Sequence, residues 1–283
     1  HPPGLHTLIA PLVAGRHNLS FEFLLLIKAL VVMLTCLSVI LFGRLLRTEL
    51  TPNGVVLGTI VWIVTPPFQI VALELRPDTL AIFLTLVCFV TIQLEKSSFD
   101  ARKMFYPAIL GAIGGLAAGY SSITTQKMWF IQAGVMLWVL VQMFVSRVEF
   151  RLPKLIYLVS YGLFFAGTIG MLVSRFQNAG ALQDLISSVI TQNLHWKPDF
   201  TLRHSLQEIL LPAAPIFIIG TAEMIRQLSN REFLKSGSVT SLMSFVCLFG
   251  GIALLRTPSP TPQSVFTLVG PWIVYLAVTA FVR

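Results

Sequence analysis

Charged side chains are scarce in this sequence. They make up 11% of its 283 residues, against about 25% in soluble globular domains, and hydrophobic residues make up 55% at a mean hydropathy of +0.81. That balance excludes an ordinary soluble fold and leaves no segment that reads as a soluble domain. Cysteine is equally sparse. Cys36, Cys88 and Cys247 each lie inside an apolar run with neither disulfide nor metal-ligand spacing, so they read as small buried hydrophobes. An initiating methionine is missing too: the chain opens on His1-Pro2-Pro3, and no basic segment or cleavage site precedes the first apolar run. We therefore expect a piece whose beginning lies upstream.

What is present is a succession of apolar segments about the length of a bilayer crossing, which predicts an all-α, polytopic transmembrane helix bundle forming one membrane domain over residues 1–283. Residues 4–15 are too short to span and carry Pro11, which fits an interfacial helix on the outer face. Nine spans follow, over about 21–42, 54–73, 79–94, 106–120, 128–145, 155–174, 208–225, 239–255 and 265–282. The second is broken at Thr65-Pro66-Pro67, where freed backbone carbonyls need a protein-lined environment, so its outer end should face the bundle interior. Gly111, Gly115 and Gly119 recur every four residues in the fourth span and should admit a close neighbouring helix. A polar turn is expected over Ser121 to Lys127, and the longest polar loop over residues 175–207, with a short amphipathic helix about 181–190.

A formal net charge of +8 would point a soluble chain toward nucleic acid, but in a membrane chain the basic residues must first be sorted by side. Alternating nine spans puts twelve on one side, Arg44, Arg47 and Arg151 among them, and eight on the other. The first side is then cytoplasmic, and no nucleic-acid partner is expected. The opposite face gathers His1, Glu74, Arg76, Asp78, Lys127 and Arg256 at span ends. Pro77 bars helix continuity, so Glu74 to Asp78 should form a short turn, with one helix stopping near Leu75 and the next starting near Thr79. Cations there suit the phosphate of an amphiphile whose tail lies among the spans. The carboxylates could serve as a base or hold a divalent cation, while His1 and His6 lack a third ligand and make no metal site. Lys127, Arg256 and the Glu74 to Asp78 turn should converge on one outward cavity. Toward the inner side, Glu223 has a simple partner in Arg226.

The opening His1-Pro2-Pro3-Gly4-Leu5-His6, the Glu74-Leu75-Arg76-Pro77-Asp78 run opening a helix, the glycine-rich fourth span followed by Gln126-Lys127, and Arg256-Thr257-Pro258 leading to Gly270-Pro271-Trp272 together resemble the GT-C membrane glycosyltransferases. The chain is similar to their protein O-mannosyltransferase and lipid A aminoarabinose transferase group. The resemblance implies a multi-pass enzyme of the cell inner (plasma) membrane. It would move a sugar from a polyprenyl-phosphate donor to a lipid, protein or glycan acceptor on the extracytoplasmic side. It also implies that the catalytic acid lies upstream of His1, that Lys127 and Arg256 contact donor phosphate, and that Glu74, Arg76, Asp78 and His1 shape the cavity or a cation site. The competing readings are a transporter or lipid flippase, in which charges at broken helices would hold a moving substrate, and a structural membrane subunit.

Overall fold

The computed structural model describes residues 21–65, 68, 77–97, 105–125, 128–145, 148–183, 211–230, 237–256 and 269–282. These form nine helices of 13 to 31 residues, and no strand occurs among the described residues. In chain order they are α1 (Phe21–Leu46), α2 (Pro52–Val64), α3 (Pro77–Ser97), α4 (Phe105–Thr124), α5 (Met128–Val145), α6 (Val148–Asn178), α7 (Leu211–Ser229), α8 (Val239–Arg256) and α9 (Gly270–Val282). Four contain stretches long and apolar enough to cross a membrane, namely Leu25–Leu46, Asp78–Glu95, Met128–Val145 and Arg151–Asn178, and α2, α8 and α9 supply shorter apolar runs. Large hydrophobic side chains such as Ile40, Phe105, Leu163, Met171 and Ile218 are exposed on the bundle's outside, where hydrocarbon and not water must be the solvent. The chain is an all-helical membrane protein.

Local chemistry sets the helix ends. Thr51 caps α2 by accepting from the Gly54 amide at 3.4 Å, with Pro52 in the first helical position where its missing N–H costs nothing. α6 ends in a Schellman turn: Gly180 takes a left-handed φ of 68°, its amide donates to the Gln177 carbonyl, and the Ala181 amide donates to Phe176. Ser238 caps α8 through the Ser241 amide, and a carboxylate distant in sequence completes the cap. Glu49 Oε1 accepts from the Thr240 amide at 2.9 Å, and Glu49 Oε2 accepts from the Thr240 hydroxyl. A negative charge there also complements the helix dipole.

Packing fixes the directions. α1 and α2 form a hairpin, with Gly43 against Thr59 and Gly58 against Leu46. α2 and α9 run antiparallel, since Gly54 faces Val282 and Gly58 faces Val278. α5 and α8 are antiparallel as well, with Trp138 Nε1 donating to Ser241 Oγ at 2.8 Å and Gly134 lying on Phe249. α4 and α6 are parallel and close: a Cβ added to Gly111 or Gly115 would overlap the carbonyl oxygen of Tyr157 or Tyr161, and one on Gly119 would stand 2.7 Å from Thr168 Cβ. The expected close approach at these three glycines is thus present. The core runs through the middle of the bundle, where Phe42, Trp62 and Phe68 stack in sequence, Tyr275 meets Phe42 edge-on, and Phe89 packs on Trp272. α9 is buried from Gly270 to Thr279.

Several boundaries differ from the sequence reading. Ser121 to Thr124 belong to α4 and are buried; they are not a polar turn, because the Ser121 hydroxyl finds a partner inside the bundle and the Thr124 hydroxyl donates to the helix's own Tyr120 carbonyl. α6 begins at Val148 and runs through Arg175 to Asn178, seven residues earlier and four later than the apolar run, since hydropathy marks the hydrocarbon and a helix continues beyond it. α3 starts at Pro77 itself, the position in a helix where proline is favoured. Cys36 is exposed, unlike Cys88 and Cys247, because it lies on the outward face of α1. α2 stops at Val64 as its prolines require, with Thr65 and Trp62 buried. The interfacial run over 4–15, most of the 181–190 helix and most of the 175–207 loop lie outside the described residues.

Candidate functional site

Of the residues that sequence placed on the outward face, Asp78 and Arg256 can be located by following the packed helices to one end of the bundle, called here the upper end. Ser121 near the end of α4 meets Ala81 near the start of α3, its hydroxyl donating to the Ala81 carbonyl at 3.1 Å. Because α3 and α4 are antiparallel, one further turn along each brings Asp78 level with Thr125. The Thr125 carbonyl accepts the Met128 amide at 3.1 Å, so α5 begins at the same level, and Met128 Sδ lies 3.9 Å from Thr85 Oγ1. Following α5 from Trp138 to Gly134 to Met128 corresponds on α8 to Ser241, Phe249 and then the last turn, which ends at Arg256. Thr65 and Val269, at the paired ends of α2 and α9, are both buried.

Asp78 is therefore in the first turn of α3, half-buried, where the helix dipole favours a carboxylate. Arg256 is the last residue of α8, at the same end, and its side chain lies outside the described part. His1, Glu74, Arg76 and Lys127 lie outside the described residues, and so does their convergence with Asp78; Thr125 and Met128, which flank Lys127 in the chain, are both buried. Among the described residues no group of three His, Cys, Asp or Glu is placed to hold a metal ion.

Below this end lies a chain of buried polar contacts that joins four helices. Gln132 Nε2 on α5 donates to Thr85 Oγ1 on α3 at 3.3 Å, and Tyr161 Oη on α6 donates to Gln132 Oε1 at 2.9 Å. The hydroxyls of Thr85 and Ser121 on α4 stand 3.0 Å apart, and the Ala81 carbonyl oxygen lies 2.9 Å from the first and 3.1 Å from the second, so one hydroxyl proton can go to the carbonyl and the other can bridge the pair. One turn farther down, Thr91 and Tyr157 pair at 3.0 Å. All of these groups are neutral, so the chain can fix helix positions but supplies no charge to a reaction. Sequence reasoning missed it because Thr85, Gln132 and Tyr161 are each one polar side chain in an apolar run, and Ser121 reads as part of a polar turn. Gln132 is the signal that was available, an amide with four hydrogen-bonding sites in the middle of a span.

At the opposite end, Glu223 is buried and receives Arg226 Nε at 2.7 Å, Arg226 Nη2 at 2.7 Å and Gln227 Nε2 at 2.6 Å. The expected Glu223–Arg226 pairing is present, and it closes the helix end without leaving a free charge. No family model matches the chain, and neither a curated protein nor a solved structure is detectably similar to it.

Proposed function

We propose that the protein is an integral-membrane glycosyltransferase. All nine helices would cross the inner (plasma) membrane, and a sugar would pass from a polyprenyl-phosphate donor to a lipid, protein or glycan acceptor at the extracytoplasmic face. The observation that carries the reading is the common level of Asp78, the Thr125–Met128 connection and Arg256 at one end of the bundle, three sites far apart in sequence. In this reading Lys127 and Arg256 bind the donor phosphate, and Asp78 with Glu74, Arg76 and His1 shapes the cavity or a cation site. Breaking a sugar–phosphate bond develops negative charge on the departing oxygens, and fixed cations beside them lower the barrier because they hold the transition state more tightly than the bound donor.

The test is single-turnover sugar transfer per amount of folded full-length protein in the membrane, with Lys127→Met and Arg256→Gln. Each should lose on the order of a hundredfold in turnover, as removal of one charge-stabilising contact does elsewhere, with insertion unchanged. Unchanged transfer in both variants refutes the phosphate role. A transporter is favoured by one observation, the short helices α2 and α9 ending at the same level. They are the second and last of nine helices and not matched members of two repeats, so it stands second. Movement of a lipid-linked sugar across vesicles without a new glycosidic bond would decide for it.

A further inference from the structure

Three features stand apart from the site residues: the face of α6 with Gly162, Gly167 and Gly170, which meets no neighbour among the described residues, the two buried indole nitrogens of Trp62 and Trp272 that have no partner among the described residues, and the polar chain centred on Gln132. The last joins side chains of four helices through hydrogen bonds. The geometry points to Gln132 as a positioning residue that, through Thr85 and Ser121, locks the Asp78-bearing start of α3 to the connection from which α5 descends. This rests on the transferase reading, and it adds a residue outside the cavity to that reading's machinery.

The hydrogen bonds converge on the first turns of α3. Both atoms of the Gln132 amide are engaged, the nitrogen by Thr85 and the oxygen by Tyr161. Thr85 is also met by Ser121 and by Met128. Ser121 in turn donates to the Ala81 carbonyl, one turn from Asp78. The last turn of α4 and the first two turns of α5 thus grip the same two turns of α3, on either side of the connection through residues 126 and 127. Apolar side chains would pack these helices equally well in hydrocarbon, where burying more apolar surface gains little. What hydrogen bonds add is register. They have a fixed donor and acceptor, so a slip of one residue along α3 or rotation of α5 breaks them, whereas leucines would slide. A register error at this depth moves Asp78 relative to the Thr125–Met128 connection by at least the 1.5 Å rise of one residue, and a misplacement of about 1 Å in a reacting constellation can cost on the order of a hundredfold.

The experiment uses the full-length protein with Gln132→Leu, the milder Ser121→Ala, the double variant, and Gln142→Leu as a control that removes a buried amide from the far end of the same helix. Two readouts are taken at equal amounts of folded protein. The first is amide hydrogen exchange over residues 81–85, referred to α9. Losing one interhelical hydrogen bond in a membrane protein should raise exchange by about three- to twentyfold over 81–85 while α9 is unchanged. The second is sugar transfer: turnover should fall by about tenfold or more with donor KM within about twofold, and the double variant should be no worse than Gln132→Leu, because both break one chain. Gln142→Leu should leave both readouts where they are. If Gln132→Leu does not fold, Ser121→Ala decides alone. Unchanged exchange over 81–85, or equal effects from Gln142→Leu, overturns the positioning role. A wild-type protein that transfers no sugar would sink the transferase reading, and exchange would still decide the coupling of Gln132 to α3.

Discussion

The close crossing of α4 and α6 gives the sharpest quantitative test of the fold. Gly115→Ala would put a methyl group nearer than 3.0 Å to the Tyr161 carbonyl, and the obstructing atom is backbone, which cannot rotate away. An ordinary carbon–oxygen approach is about 3.3–3.6 Å, so α6 must retreat by on the order of 1 Å. That gap forfeits about a quarter to a half of the contact energy across the interface, and overpacking of this kind costs about 1–3 kcal/mol. Alanine returns about 1 kcal/mol of helix propensity over glycine, leaving a net loss of up to about 2 kcal/mol. Gly162 lies on the same α6, and a Cβ there meets nothing among the described residues within 4 Å. Gly162→Ala keeps only the propensity gain and should stabilise by up to about 1 kcal/mol. The pair can be compared by reversible unfolding in mixed micelles, followed by tryptophan fluorescence. Equal effects from the two substitutions would refute the assigned crossing, because helix propensity alone treats the two sites alike. Since Tyr161 donates to Gln132, Gly115→Ala should also raise exchange at the start of α3.

Two further predictions address the ends of the bundle. Glu49→Ala removes a carboxylate that accepts both the amide and the hydroxyl of Thr240, so stability should fall by about 1–2 kcal/mol, and Glu49→Gln should restore part of it; an unfolding curve unchanged by either replacement would show that Ser238 suffices as cap. For orientation, Pro77→Cys and Lys197→Cys should be labelled by a membrane-impermeant maleimide from the extracytoplasmic side in intact cells. Labelling only in inverted vesicles would reverse the assignment.

Sequence alone determined the class of this protein and most of its helices. A low charged fraction and apolar runs of bilayer length leave the helix as the way to satisfy backbone groups in hydrocarbon, and Pro66 and Pro77 mark where one helix stops and another begins. The four-residue spacing of Gly111, Gly115 and Gly119 announced a tight helix contact, and i, i+3 spacing announced the Glu223–Arg226 pair, because both signals are local. Which helix fills the glycine groove was not legible: that α6 fills it, in parallel and with the carbonyls of Tyr157 and Tyr161, depends on three-dimensional packing. The level at which Asp78, Met128 and Arg256 lie together is likewise set by antiparallel registers between helices, which no single span encodes. The Thr85–Gln132–Tyr161 chain and the Glu49 cap on α8 link residues up to 191 positions apart. Hydropathy read Ser121 to Thr124 as a surface turn because it scores a hydroxyl by its cost in hydrocarbon, whereas the folded bundle removes that cost by giving the hydroxyls of Ser121 and Thr124 acceptors.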